Sequence, residues 1–180
     1  MHVKINLNHR YGRVENINIW LQKYPDWDME RRSAATGATV LAAAIYLGQQ
    51  KLKTVERLFQ GGAKLSALTY SGGSLLIMAC SSDDADPKVI RFLLTHNRKS
   101  QLNMRITSRT NLWRVRRFVC RCIVRLGITQ SRLLSRVAHS GGLTALHYAA
   151  RRGDMEIVEL LMEHGAKPSI RNDLGRDVLS

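Results

Sequence analysis

Small apolar residues recur along this chain in short clusters at helical spacing, and each cluster is followed by a second, bulkier apolar stripe. Leu146, Ala149 and Ala150 come first, then Gly153, then Ile157, Val158, Leu160 and Leu161, then Gly165-Ala166. Leu41, Ala44 and Gly48 are followed by Val55, Leu58 and Gly62-Ala63, and Leu76, Ala79 and Cys80 by Val89, Ile90, Phe92 and Leu93. Spacing of three and four residues marks one face of a helix, so each cluster and its stripe predict a pair of helices. The glycine between them suits a tight turn and the glycine after them a left-handed cap. In the middle copy, Ser81 to Lys88 stands where the turn glycine is expected.

Each pair opens on the same phrase, glycine, then Thr, Ser or Asp two residues on, then Leu. It occurs as Gly37-Ala-Thr39-Val-Leu41, Gly72-Gly-Ser74-Leu-Leu76, Gly142-Leu-Thr144-Ala-Leu146 and Gly175-Arg-Asp177-Val-Leu179. The hydroxyl or carboxylate is placed to cap a helix N-terminus. Successive glycines lie 35, 70 and 33 residues apart. The double spacing holds either two periods or one period enlarged by an insertion. The stretch from Thr144-Ala-Leu-His-Tyr-Ala-Ala150 to Gly165-Ala166 closely resembles the ankyrin family. That resemblance implies an all-α fold, an ankyrin-repeat solenoid of stacked helix pairs with a helical insertion in one finger. Repeats are expected at 37–71, 72–107 and 141–174, with a degenerate N-terminal capping unit at 1–36 and a basic two-helix insertion at 108–140. In the first unit Val3 to Asn8 is the expected inner helix, and Ile17, Trp20 and Leu21 mark the outer one. Residues 175–180 open a further, truncated repeat, whose missing neighbour should leave an apolar flank near Ile157 and Leu161.

The enlarged period is also where the charge lies. The chain has 28 Lys and Arg against 14 Asp and Glu, a net charge of +14. Eleven of the basic residues and none of the acidic ones fall between Arg98 and Ser140, leaving 17 and 14 elsewhere. At about 100° per residue, Val115, Phe118, Val119, Cys122, Ile123 and Leu126 share one helix face, and Arg114, Arg117, Arg121 and Arg125 share the opposite one. Gly127 ends this helix. Thr129 or Ser131 then caps a second, whose apolar face is Leu133, Leu134, Val137 and Ala138. Either the apolar faces pack on each other and on the stack, leaving the arginines solvated, or the arginine face meets an anionic surface. For the second case Arg114, Arg117, Arg121, Arg125, Arg132 and Arg136 are the candidates, and nucleic acid, acidic lipid or an acidic protein the possible partners. Without a Gly-rich phosphate loop or a run of aromatics, nothing points to base-specific recognition.

In the ankyrin family, partners lie against the concave face made by finger tips and inner helices. The resemblance therefore implies contacts from Tyr46, Leu47, Leu68, Tyr70, Ser71, Ser81 and Ser82. It adds Leu143, Arg151, Arg152, Arg171, Asp173 and Leu174. The expected partner is another protein with an acidic patch. His147 falls at a position where the family has a structural histidine, and His96 and His164 fall where an imidazole can serve the last carbonyls of an outer helix.

Catalytic patterns are missing. No Ser-His-Asp, Cys-His or paired-carboxylate arrangement has supporting context, so the expectation is a non-enzymatic protein with no cofactor. Cys120 and Cys122, two apart on a helix, point about 200° apart and are unsuited to sharing a metal. Asp83, Asp84 and Asp86 lack the further oxygen donors of a calcium loop. The cysteines Cys80, Cys120 and Cys122 show neither a disulfide framework nor zinc spacing, which favours a reducing compartment. The longest apolar run, Ala38 to Leu47, is about half of a membrane span. With no export signal, an intracellular, cytoplasmic or nuclear location is expected.

Overall fold

The computed structural model describes residues 14–48, 51–96 and 101–179. Val3 to Asn8 lies outside them. Nine helices are found among the described residues: α1 (Val14–Lys23), α2 (Val40–Leu47), α3 (Lys51–Gln60), α4 (Leu75–Ser81), α5 (Pro87–His96), α6 (Asn111–Arg125), α7 (Arg132–His139), α8 (Ala145–Arg152) and α9 (Met155–Glu163). Among the described residues the only bridge of strand type is an isolated pair, Leu68 with Ser74. The fold is all-α.

The recurring hydroxyls start the inner helices. Oγ1 of Thr39 accepts from Ala42 N, Oγ of Ser74 from Ile77 N and Oγ1 of Thr144 from His147 N, at 3.3–3.4 Å. Each satisfies a backbone donor that the first turn leaves free, an effect of about 1 kcal/mol. Thr144 closes the circuit more fully, because its own N–H donates to Nδ1 of His147 at 3.3 Å. At the fourth copy Asp177 accepts from Leu179 N at 3.0 Å and shapes a turn.

The helices stand in two rows. Inner helices pack in the order α2, α4, α8 and outer helices in the order α1, α3, α5, α9, with α2 against α3, α4 against α5 and α8 against α9. α4 meets α8 and α5 meets α9 although α6 and α7 intervene in the chain. Small residues make this close approach possible: Ala44, Ala79 and Ala149 are buried between inner helices, and Val55, Leu58, Ile90, Leu93, Ile157 and Leu161 line the outer row. The core cluster is continuous from Ile17 to Ala166 and includes nothing between Ile106 and Leu143. Ile157 and Leu161 are fully buried by the helices of their own stack, so the apolar flank expected there does not form. The exposed apolar side chains of α9 are Met155 and Met162 instead, because the 157/161 face turns back towards α5 and α8.

Finger backbones join the rows from end to end. Tyr70 N donates to Thr36 O at 2.9 Å, Arg109 N to Tyr70 O at 3.0 Å, and Asp173 N to Gly141 O at 3.1 Å. Gly72 shows why the phrase opens on glycine. Its φ is +87°, and a Cβ there would stand 2.0 Å from the carbonyl oxygen of Thr107 in the next finger. Both the left-handed backbone and the overlay exclude a side chain.

Where α4 ends, a clamp replaces the glycine turn. The ammonium of Lys51, buried at the start of α3, donates to Ser82 Oγ and Asp84 O at 2.9 Å and to Asp84 Oδ1 at 2.6 Å. A charged side chain of the preceding helix pair thus holds the loop that Ser81 to Lys88 forms.

Between Thr107 and Gly141 the chain leaves the stack as a hairpin. Ile106 N donates to Leu143 O at 2.9 Å and Gly142 N to Ile106 O at 3.0 Å, which ties off its base. α6 and α7 pack on each other. Thr110 caps α6 through Trp113 N at 3.3 Å, and Gly127, at φ +68°, follows its last turn.

Candidate functional site

The sequence places arginines and apolar residues on opposite faces of α6, and the structure buries part of each face. Cys120 is the buried residue of the helix, and Arg117 and Arg121 lie half-buried on the same inward side. Arg117 donates to Ser71 O at 3.4 Å and Arg121 to Ala138 O at 3.5 Å. Burial holds the Arg117 guanidinium below its usual pKa. Val115, Phe118, Val119 and Leu126 face solvent. The hairpin thus packs its two arms on each other with Cys122, Ile123, Leu134 and Val137 half-buried and Ala138 buried, while Arg114 and Arg125 are solvated and Arg117 and Arg121 are not. The carbonyls of Ser71 in the finger and of Ala138 in α7 accept from these guanidinium groups, which aliphatic side chains could not use.

α7 faces the ends of α4 and α8. There it bounds an open cleft of about 400 Å³ lined by Ser81, Asp83, Gln130, Arg132, Ser135, Arg136, Tyr148, Arg151 and Arg152. Four guanidinium groups converge on it from two helices, α7 and α8. Arg136 pairs with the Asp83 carboxylate at 2.9 Å, and that hydrogen bond raises its pKa. Arg152 donates to the Asp83 carbonyl at 2.9 Å, and Arg151 lies 5.0 Å from the Tyr148 ring centroid. Burial pushes the Tyr148 phenol up, so it stays a neutral hydrogen-bond donor at ordinary pH. A second hollow, about 280 Å³, opens beside α6 and is lined by Ile106, Thr107, Ser108, Arg114, Arg117, Phe118, Arg121 and Asp173.

A family model described as ankyrin repeat matches residues 141–173, which span α8, α9 and the flanking fingers. Over 44 residues the chain is 43% identical to the putative ankyrin repeat protein L92 of Acanthamoeba polyphaga mimivirus. That stretch covers 24% of this chain and 11% of the relative, so the chain matches about a tenth of that relative's length. Residues 141–173 thus match an ankyrin repeat, and the all-helical stack around them is consistent with an ankyrin-like solenoid. Ankyrin repeats generally mediate protein–protein interaction and are typically non-enzymatic.

On this ankyrin-like stack the implied contact residues separate into three groups. Tyr46 and Leu47 at the end of α2, Arg151 and Arg152 at the end of α8, and Arg171, Asp173 and Leu174 on the last finger are exposed. Leu68, Tyr70, Ser71 and Ser81 are half-buried; Tyr70 lies over Gly37, and Ser71 beneath Arg117. Ser82 and Leu143 are buried, Ser82 in the Lys51 clamp and Leu143 in the core, so neither is available to a partner. Asp173 is engaged by Arg105 at 3.1 Å. The structure also joins residues assigned to separate surfaces, since Arg132 and Arg136 of the hairpin share one cleft with Ser81, Arg151 and Arg152. Arg125 stays exposed outside both hollows. Sequence reasoning missed Tyr148 and Asp83. Tyr148 was legible as the one large aromatic inside an otherwise small-residue inner helix, and Asp83 only through its partners.

His147 is structural. Its Nδ1 accepts from Thr144, Nε2 donates to Arg176 O at 3.4 Å, and burial lowers its pKa. His96 and His164 bond through Nδ1 to Phe92 O and Leu160 O, at 3.0 and 2.8 Å. Burial raises the Cys80 thiol to about 12, leaving it an inert thiol in the core. No group of metal-ligating side chains occurs among the described residues, nor any helix long and apolar enough to cross a membrane.

Proposed function

We propose that this chain binds an acidic segment of a partner protein on its concave face, in the cleft between α7 and the ends of α4 and α8. The convergence of Arg132, Arg136, Arg151 and Arg152 supports this reading. Asp83 is the only carboxylate lining the cleft; Arg136 already occupies that carboxylate, and Arg152 bonds the Asp83 backbone carbonyl. The remaining donors of those guanidinium groups need acceptors, and carboxylates supply them in bidentate geometry. Tyr46 and Tyr148 add the aromatic anchors that interface centres favour. The same reading treats residues 37–71, 72–107 and 141–174 as repeats, 1–36 as a degenerate cap, 108–140 as an insertion in one finger, and 175–180 as the opening of a further unit. The two rows of packed helices support that division.

The test is capture from cell extract with crosslinks mapped by mass spectrometry, comparing the native chain with an Arg151→Ala/Arg152→Ala variant. Crosslinks should fall on the ends of α2, α4 and α8, and the variant should bind at least roughly tenfold more weakly. A partner that crosslinks to α3, α5 and α9 and binds the variant equally well rejects the proposal.

A second reading, contact with an anionic surface through the arginines of the hairpin, draws support from the hollow beside α6. Arg114, Arg117 and Arg121 line it together.

A further inference from the structure

We infer that α6 lies flat on an anionic lipid bilayer, its outward apolar stripe seated at the headgroup–acyl boundary and a lipid phosphate held in the arginine-lined hollow at its edge. This deepens the second reading above and rests on it.

The stripe comes first. Leu112, Val115, Phe118 and Val119 of the 15-residue helix and Leu126 at its C-cap share one side and are between 46% and 75% exposed. They point away from the stack because Cys120, Arg117 and Arg121 face it. The helix is roughly 22 Å long at 1.5 Å per residue. Single exposed apolar residues need no explanation, but five along one helix face form a contiguous interaction surface. Ile128 and Leu133, 69% and 70% exposed, continue it onto the second arm of the hairpin.

Charge then selects the occupant. Residues 108–140 contain eight arginines and no Asp or Glu. At helical period Arg116 borders the stripe on one side, and Arg114 and Arg125 border it on the other. An apolar face flanked by basic side chains is the arrangement of helices that lie in a bilayer interface. Their aliphatic stems cover hydrocarbon while the guanidinium groups reach the phosphates. A second copy of this chain would set two such stripes together with their like-charged borders in register, which opposes association. Nucleic acid binding needs the arginines at the centre of the contact, where this helix presents hydrocarbon.

The hollow supplies an independent observation. Ser108, only 5% exposed, has a hydroxyl with no hydrogen-bond partner, and Nε of Arg121 is likewise buried and unpartnered. Both residues line the hollow with Arg114 and Arg117, and Phe118 of the stripe forms its rim. Three guanidinium groups and an unsatisfied hydroxyl make a site for an oxyanion adjoining the apolar stripe, as a headgroup phosphate adjoins its acyl chains. Asp173, the single carboxylate in the lining, is neutralised by Arg105 at 3.1 Å.

Sedimentation of the full chain with vesicles tests this. Phosphatidylcholine vesicles are compared with vesicles in which one lipid in three is phosphatidylserine. Binding should require phosphatidylserine, weaken with added salt, and fall roughly tenfold or more in a Val115→Glu/Phe118→Glu variant. Both side chains are exposed, so an unchanged thermal unfolding curve verifies that the variant folds. Arg114→Gln and Ser108→Ala should each weaken binding without abolishing it. Salt-sensitive binding that Val115→Glu/Phe118→Glu leaves intact overturns the inference while the anionic-surface reading stands. Stronger binding to duplex nucleic acid at equal phosphate, complete displacement by inorganic phosphate, or self-association lost in the glutamate variant also overturns it. Absence of binding to every anionic surface removes both.

Discussion

At the residue scale, His147 shows how a polar group inside the stack stays affordable. Its neutral ring accepts from Thr144 and donates to Arg176 O, and protonation of Nδ1 would abolish the first of these bonds. Burial accordingly lowers its pKa below the ordinary imidazole value. The sign follows. The unfolded chain takes up a proton near pH 6.5, before the folded one does. The contribution of His147 is therefore complete above about pH 6.5 and declines as pH falls through that value towards the folded pKa. His147→Ala should cost about 1–2 kcal/mol at pH 7.5, from the lost cap and an unpartnered amide. In urea titrations the gap between the two proteins should narrow at pH 5.5; a gap independent of pH would show that the imidazole is not held neutral.

At the element scale, the helices were legible where local chemistry and packing agree. Thr39, Ser74 and Thr144 cap the helices their positions indicate, and the stripes Val55–Leu58 and Val89–Leu93 are buried as their period requires. α6 was legible as a helix but not in its orientation. Amphipathicity gives two faces and leaves open which of them meets protein. Here part of each does, and the finger carbonyl of Ser71 that accepts from Arg117 is encoded by no local pattern along 108–140. The loop after α4 was equally illegible, because its anchor, Lys51, lies more than 30 residues upstream. Burial alone would raise the Asp84 carboxyl, but the hydrogen bonds and charge from Lys51 and Ser82 outweigh it and leave its pKa lowered. The carboxylate thus stabilises the fold above about pH 4 and ceases to as pH falls through its folded value. Asp84→Ala should destabilise by about 1–2 kcal/mol, less than for a fully buried pair because Asp84 is 74% exposed. In a Lys51→Met background, with no ammonium left to satisfy, the same substitution should be nearly neutral. Equal effects in both backgrounds, read from chemical denaturation, would dismiss the clamp.

On the scale of the whole molecule, the stack holds the core and the hairpin stands outside it. The stack gains its stability from neighbour-to-neighbour interfaces, and the contacts of α4 with α8 and of α5 with α9 bypass the hairpin altogether. No residue of 108–140 belongs to the core cluster. Thr107 and Gly141 flank a base already closed by the hydrogen bonds of Ile106 with Leu143 and Gly142. Replacing 108–140 by a two-residue Asn-Gly turn should therefore keep one cooperative thermal transition, within a few degrees of the native chain. The losses are the Arg109–Tyr70 backbone bond and the Arg117–Ser71 and Arg136–Asp83 contacts, about 1 kcal/mol or less each. Against them stands a shorter connection, which lowers the closure entropy by about 0.6 kcal/mol for each halving. The hairpin, lacking its own share of the core, should exchange its amide hydrogens well before α4 and α8 do. A midpoint lower by more than about ten degrees, or exchange in α6 as slow as in α4, would mean that the hairpin is an integral wall of the stack. The arginines it adds to the concave cleft would then be part of the scaffold itself.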